Sequence, residues 1–293
     1  MKITASADIK TILKNFRSLK LMFRFIFILL LGLSTTASAN INKEQLNKLN
    51  VGALLVKDMT NNKMLYSKEA FKQLKPASLT KVMTVLVAIE QGNLERPVTI
   101  TYEMIQVEPT IAGYKPGDVI KLKDLIMAAM IKSDNDAAKS IGIAVGGTEK
   151  RFVEMMNAKA KAIGMKNTHF TNPCGFDNPQ HFSTPSDLLK MTEYAIKNKY
   201  FNDISKKNQH TYYSVNGKKK FLAYTHNRLL NQYQYAVGVK TGYTSKAGPC
   251  LIARAKKNGK DCLIVMMNSK EDRWKTAKQI FEQVFVSKVV KNG

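Results

Sequence analysis

The sequence predicts an α/β fold of the α+β kind. One antiparallel five-stranded sheet is flanked by helices, with a helical lobe beside it. Three observations predict this. Two short apolar strands open the globular part, a long helical middle follows, and three late strands precede a last amphipathic helix. A chain that leaves a sheet and returns to it closes economically as one sheet with helices on its faces. No linker or internal repeat divides residues 40–293.

In order, residues 51–56 are an apolar strand, Asn61-Asn62 a turn, and residues 63–67 the returning strand. After Pro76, residues 78–91 read as a helix closed by Gly92. Its apolar residues (Leu79, Val82, Met83, Val85, Leu86, Val87) surround it, which marks a helix buried on all sides. Residues 96–102 alternate as a strand, and 113–118 form a turn-rich loop. Leu122, Leu125, Ile126, Ala129 and Met130 give a helical face that stops near Lys132. Ser133-Asp134-Asn135 interrupts it, and a small-residue helix resumes over 136–145. Residues 149–163 form an amphipathic helix closed by Gly164, and 168–180 are irregular around Pro173 and Pro179.

Thr184-Pro185-Ser186-Asp187 starts the next helix, with an N-cap threonine, proline at N1 and an acid at N3; it runs to about Lys197. A hairpin follows, 211–215 and 221–224 around Asn216-Gly217. Strands over 235–240, 251–255 and 261–267 come next, and a helix over 271–289 packs Trp274, Ile280, Phe281 and Val284 on the sheet.

Residues 1–39 stand apart. Five basic residues (Lys10 to Arg24) precede the apolar run 25–33, and Ala37-Ser38-Ala39 offers a cleavage site before Asn40. This is a secretory signal layout. The run is shorter than the ~20 residues of an ordinary span, so no stable membrane span is expected after cleavage. Met22 would by itself start a compact signal. The remaining residues, 40–293, are expected to form a single exported domain, periplasmic or otherwise in the cell envelope.

The formal net charge is +24. The leader contributes five of these charges, so the mature part keeps about +19. Such a balance suits nucleic acid, anionic lipid or another polyanion, and export argues against nucleic acid. The lysine runs 218–220 and 256–257 sit beside glycine turns, where exposed charge is ordinary. The three cysteines (Cys174, Cys250, Cys262) are too few and uneven for a disulfide framework, and free buried thiols are expected. No His/Cys cluster has metal-ligand spacing, so neither a metal nor another cofactor is expected.

The chemistry starts at Ser78-Leu79-Thr80-Lys81. Ser78 and Lys81 are three apart and share a helix face. Burial and the positive end of the helix dipole both oppose an ammonium there. A hydroxyl beside a lysine of depressed pKa is a nucleophile beside its base. Ser133 and Asn135 sit in a short polar loop between two buried helices, so they point into a cleft or stay unsatisfied. Lys240 and Thr241 end an apolar strand, and Gly242, without a side chain, lets a peptide backbone lie alongside. Each motif alone is common; the three in this order and spacing are not.

The chain therefore resembles the penicillin-binding serine DD-peptidases, specifically the low-molecular-mass D-alanyl-D-alanine carboxypeptidases, over about residues 45–290. The stretches PASLTKVMT, SDNDAA, GMKNTHFTNPCGF and KTGYTSKAG carry the likeness. It implies a β-lactamase-like or DD-peptidase-like fold and no cofactor. It implies that Ser78 attacks the D-Ala-D-Ala carbonyl, that neutral Lys81 takes its proton, and that Ser133 passes a proton to the leaving D-alanine. Asn135 would position the substrate amide, Lys240 and Thr241 would hold the terminal carboxylate, and the N–H groups of Ser78 and Tyr243 would form the oxyanion hole. The partners implied are the peptidoglycan stem peptide and, as inhibitors, β-lactams. The chain ends soon after the last helix, so the family's second all-β domain and C-terminal membrane-binding helix are not expected. That brings closer the shorter members that cut D-Ala–diaminopimelate cross-links as endopeptidases.

Two further readings compete. A class A β-lactamase would need a deacylating glutamate after Ser-Asp-Asn. Glu154 is the nearest acid with an asparagine three residues on, and it falls inside a regular helix. A catalytically silent envelope-binding protein, driven by its charge, would keep its phenotype when Ser78 is replaced by Ala. Of the histidines, His226 is the best placed to line the cleft, and His169, His181 and His210 are read as scaffold or surface.

Overall fold

The computed structural model describes residues 41–107 and 109–286. The signal-like leader expected over 1–39 and the last residues of the expected final helix, to Val289, lie outside these. The described residues cluster as one compact unit.

Strand β1 (Val51–Asp58) is an inner strand of the sheet, with the edge strand β2 (Lys63–Lys68) on one side. Three late strands complete it: β7 (Ala236–Gly242), β8 (Cys250–Lys257) and β9 (Lys260–Ser269). The order is β2-β1-β9-β8-β7, antiparallel throughout. The two early and three late strands thus meet in one sheet, as expected. The Asn258-Gly259 turn sets the register, with Ala255 opposite Cys262 and Leu251 opposite Met266. All three cysteines are free and buried.

Both faces of this sheet are covered, which explains the continuous apolar runs of its strands. Leu55, Ile252, Leu263, Val265 and Met267 face the helical lobe. The alternate residues Leu54, Val56, Leu251, Ile264 and Met266 face helix α9 (Arg273–Phe285), with Ile280, Phe281 and Val284 packed on them. This period of two is the pleat of the strands.

The first face carries the lobe. A short helix, α1 (Lys43–Asn47), precedes β1. Helix α2 (Lys81–Glu90) is buried along almost its whole length. Around it stand α3 (Leu122–Ile131), α4 (Asn135–Gly146), α5 (Glu149–Ala162) and α6 (Pro185–Ala195). Glycines let α4 sit close to α5: a Cβ at Gly146 would fall 2.8 Å from the Cβ of Phe152. The Thr184 cap is present, its side chain accepting from the Asp187 N–H at 3.2 Å.

Several boundaries differ from expectation. Ser78 lies in a 3-10 turn, Ala77–Thr80, and the α-helix begins only at Lys81. Ala77 has φ +49°, so the chain enters the helix through a strained residue that blocks an α-helical start. The strand read over 96–102 shortens to β3 (Pro97–Thr99), which pairs with an unforeseen β4 (Val119–Lys121) in a separate small sheet. The hairpin is β5 (Gln209–Tyr213) with β6 (Lys220–Tyr224). Helix α6 stops at Ala195, and short helices α7 (Lys199–Ser205) and α8 (Leu229–Gln232) were not foreseen. The final helix starts at Arg273, where the Asp272 carboxylate caps the N–H groups of Trp274 and Lys275. No helix among the described residues is long and apolar enough to cross a membrane.

Candidate active site

Three elements converge where the lobe meets β7. The 3-10 turn supplies Ser78 and leads into Lys81. The loop between α3 and α4 supplies Ser133 and Asn135. The end of β7 supplies Lys240, Thr241 and Gly242, followed by Tyr243. A cleft of about 810 Å³ opens on them, lined by Ser78, Ser133, Asn135, Thr241, Gly242 and Tyr243. All eight residues singled out in the sequence therefore lie in or beside one cleft.

Lys81 is fully buried. Its Nζ lies 3.0 Å from Ser78 Oγ, 2.7 Å from Asn135 Oδ1 and 2.8 Å from the Cys174 carbonyl oxygen. The Asn135 Nδ2 bonds the Pro109 carbonyl, which keeps Oδ1 turned to the lysine. Burial lowers the Lys81 pKa to about 8, against the opposing pull of Cys174, Asp134 and Asp136. A neutral amine has two N–H groups and one lone pair. Asn135 Oδ1 and the Cys174 carbonyl can only accept, so they take the two N–H groups. Of the three partners only the Ser78 hydroxyl has a proton to offer, so the lone pair is left facing it.

Lys240 is buried to the same degree. It donates to Ser133 Oγ at 2.8 Å and to the Thr241 carbonyl at 3.2 Å. Burial depresses its pKa well below that of a free lysine, and the nearby Lys81 and Arg273 add to this. Ser133 is held at φ +69°, a second strained non-glycine in the site. Between the serine and the asparagine, Asp134 is buried, and burial raises its carboxyl to about 6. Lys132 Nζ lies 3.1 Å from Asp134 Oδ1. Asp136 accepts the N–H groups of Ala112 and Gly113 at 2.9 and 3.0 Å, which ties down the wall around Thr110.

Backbone approach needs glycine at two points. A Cβ on Gly242 would fall 3.2 Å from the Ser78 nitrogen. One on Gly175 would fall 1.9 Å from the Ala77 carbonyl oxygen, and Gly175 has φ +91°. The loop 168–182 therefore lies against the turn that presents Ser78. Asn172 Oδ1 gathers the N–H groups of Cys174, Gly175 and Phe176 at 3.2, 2.8 and 3.0 Å. His181 is buried; its Nδ1 accepts from the Thr171 N–H at 3.1 Å, so its Nε2–H faces Thr80 Oγ1 at 2.9 Å.

Some site residues escaped the sequence reading. Arg273, in the first turn of α9, lines the cleft and donates to the carbonyls of Gly242 and Cys250, both at 2.8 Å. Trp274, Arg228 and Thr110 also line it. His226 does so at the rim, as expected. Glu154 is exposed on α5 and takes no part in the cleft lining. Cys174 is buried, and burial raises its thiol to about 12, which leaves it a poor nucleophile.

The family model described as D-alanyl-D-alanine carboxypeptidase matches residues 38–271. The chain belongs to the D-alanyl-D-alanine carboxypeptidase family. Among the relatives of this family member is the D-alanyl-D-alanine carboxypeptidase DacF of Bacillus subtilis, 33% identical over 73% of this chain. The match spans only 56% of that longer protein. A D-alanyl-D-alanine endopeptidase of Pseudomonas aeruginosa is 28% identical over 74% of this chain and 71% of its own length. Among solved structures, the Streptomyces DD-transpeptidase superposes with a TM-score of 0.76 at 28% identity, over 81% of this chain and 97% of that one.

Proposed function

We propose that the chain is a serine-type D-alanyl-D-alanine carboxypeptidase, exported by its leader to the periplasm or cell envelope. Residues 40–293 act as one domain that removes the terminal D-alanine from peptidoglycan stem pentapeptides. The Ser78 hydroxyl attacks the carbonyl carbon of the scissile bond as its proton passes to neutral Lys81. The oxygen that becomes negative is held by the N–H groups of Ser78 and Tyr243. The C–N bond then breaks, and the departing D-alanine nitrogen takes a proton through Ser133. Water opens the resulting ester with Lys81 again accepting a proton, which restores Ser78. Thr241 and Arg273 line one end of the cleft, with Lys240 buried behind Ser133 beside them, an end suited to the substrate carboxylate, and Asn135 holds the stem amide. A β-lactam would acylate Ser78 by the same attack.

The observation that carries this reading is Lys81 Nζ at 3.0 Å from Ser78 Oγ, with its other two partners, Asn135 Oδ1 and the Cys174 carbonyl, able only to accept. The Glu154 position supports the peptidase over a class A β-lactamase. The test is labelling by fluorescent penicillin followed by digestion of purified peptidoglycan. A stable adduct on Ser78 and loss of pentapeptides without loss of cross-linked dimers support the carboxypeptidase. Loss of dimers would instead select an endopeptidase, the activity named for the Pseudomonas relative. Rapid turnover of penicillin would refute the peptidase.

A further inference from the structure

The β5–β6 hairpin has two unlike faces. The inner face is anchored: Tyr212 and Tyr114 share a hydroxyl hydrogen bond of 2.6 Å, and His210 Nε2 lies 2.8 Å from Asp124 Oδ1. Tyr212 also stacks on His210 and Phe221. The tip is fixed by the Val215 N–H on the Val119 carbonyl, at 2.7 Å.

The outer face is exposed and mixed, with Tyr213, Leu222 and Tyr224 among Gln209, Thr211 and Lys220. Tyr213, Leu222 and Tyr224 are 52%, 39% and 57% exposed, and Val215 beside the turn is 51% exposed. Cross-strand pairing puts Tyr213 opposite Lys220 and Leu222 opposite Thr211, so the two tyrosines flank Leu222 on one surface. Clustering of this kind on a soluble surface marks an interaction site, and tyrosine is enriched in such sites.

Charge and continuity identify the occupant. No acidic residue lies between Asp203 and Asp261, while Lys207, Lys218 and Lys220 are exposed at the hairpin. Asp118 pairs with Lys219 and Asp124 with His210, and the lysines left exposed suit an anionic partner. Strand β6 runs from Tyr224 directly into Thr225 and His226, which line the cleft, so what lies on the hairpin continues into the site. We propose that this face docks the polysaccharide strand of the wall polymer whose stem peptide occupies the cleft. The apolar faces of its sugar rings lie on Tyr213 and Tyr224, and the lysines meet the carboxylates carried by the strand and its stem peptides. This inference rests on the proposed peptidase function and adds the polymer to it.

The test separates the two. Protein acylated with penicillin, its cleft blocked, is sedimented with insoluble peptidoglycan at low salt, beside a triple variant Tyr213→Ser, Leu222→Ser, Tyr224→Ser. The acylated wild type is expected to pellet and to be released by peptide-free polysaccharide strands. The triple variant should pellet about fivefold less or worse, with an unchanged rate of penicillin labelling. Equal pelleting of the variant, or release by soluble stem peptide alone, overturns the inference. If the triple variant fails to label, the pair Lys218→Gln, Lys220→Gln decides instead, and undiminished pelleting there is equally contrary. Failure of the wild type to label refutes the peptidase reading. Pelleting of the Ser78→Ala protein against its hairpin variant then still reports on the hairpin.

Discussion

Lys81 and Lys240 are buried alike, yet the protein surrounds their amines differently. Lys81 meets two carbonyl-type oxygens and a serine hydroxyl, with two carboxylates nearby opposing the burial. Lys240 meets one hydroxyl and one carbonyl, and lies near the Arg273 cation. Oxygens without formal charge satisfy a neutral amine as well as an ammonium, so the first environment suits a base. The second collects more positive charge than its surroundings neutralise, so it suits an incoming anion. The two are coupled. A substrate carboxylate beside Lys240 raises its pKa, and a charged Lys240 then holds Lys81 more firmly neutral.

The largest test of this contrast is Lys81→Met, which keeps bulk and removes the base. Acylation by penicillin should fall about 10³-fold, within the range of general-base contributions. If Lys240→Met fell as far on every substrate, the division of roles would fail. Instead Lys240→Met should lose about 10- to 100-fold on a peptide ending in a free carboxylate, the size of one charged hydrogen bond. On the same peptide with that carboxylate amidated, wild type and variant should converge.

Asp134→Asn sharpens the contrast further. Burial raises the Asp134 carboxyl to about 6, so its ionised form destabilises the fold; that stability is full below about pH 3.9 and lost as pH rises through 6. At pH 7.5 the variant should melt higher by about 1–2 kcal/mol of added stability. Its acylation profile should also shift to lower pH, because Asp134 holds the Lys81 pKa up. A smaller effect calibrates burial itself. The same kind of enclosure lowers His181 to about 3. The unfolded chain then binds the extra proton between about pH 6.5 and 3, so stability falls as pH drops through that window. Replacing His181 by Gln should flatten the dependence of melting temperature on pH between 6.5 and 5.

The motif residues were legible because they are side chains at fixed spacing on elements whose periodicity is plain. The all-round apolar pattern of 82–88 marked α2 as buried, and burial is what lowers Lys81. The third partner of Lys81 was not legible. It is the Cys174 carbonyl, and a backbone oxygen has no residue signature. Arg273 read as the start of an amphipathic helix because its place in the cleft depends on how α9 lies on the far face of the sheet. The five strands were readable from apolar runs, whereas β3, β4, α7 and α8 were missed or misbounded. Elements of three to seven residues give too few turns or alternations to leave a period. The 3-10 turn at Ser78 was hidden for another reason: Ala77 adopts a positive φ that only the surrounding packing, Gly175 included, imposes.

The central claim is that Ser78 is activated by a neutral Lys81. The direct measurement is the acylation rate of the wild-type protein by a fluorescent penicillin from pH 6 to 10. The rate should climb about tenfold per pH unit and level off near pH 8, where the Lys81 amine loses its proton. A flat profile across that range, or one that climbs only above pH 10 as for a free lysine, would contradict it.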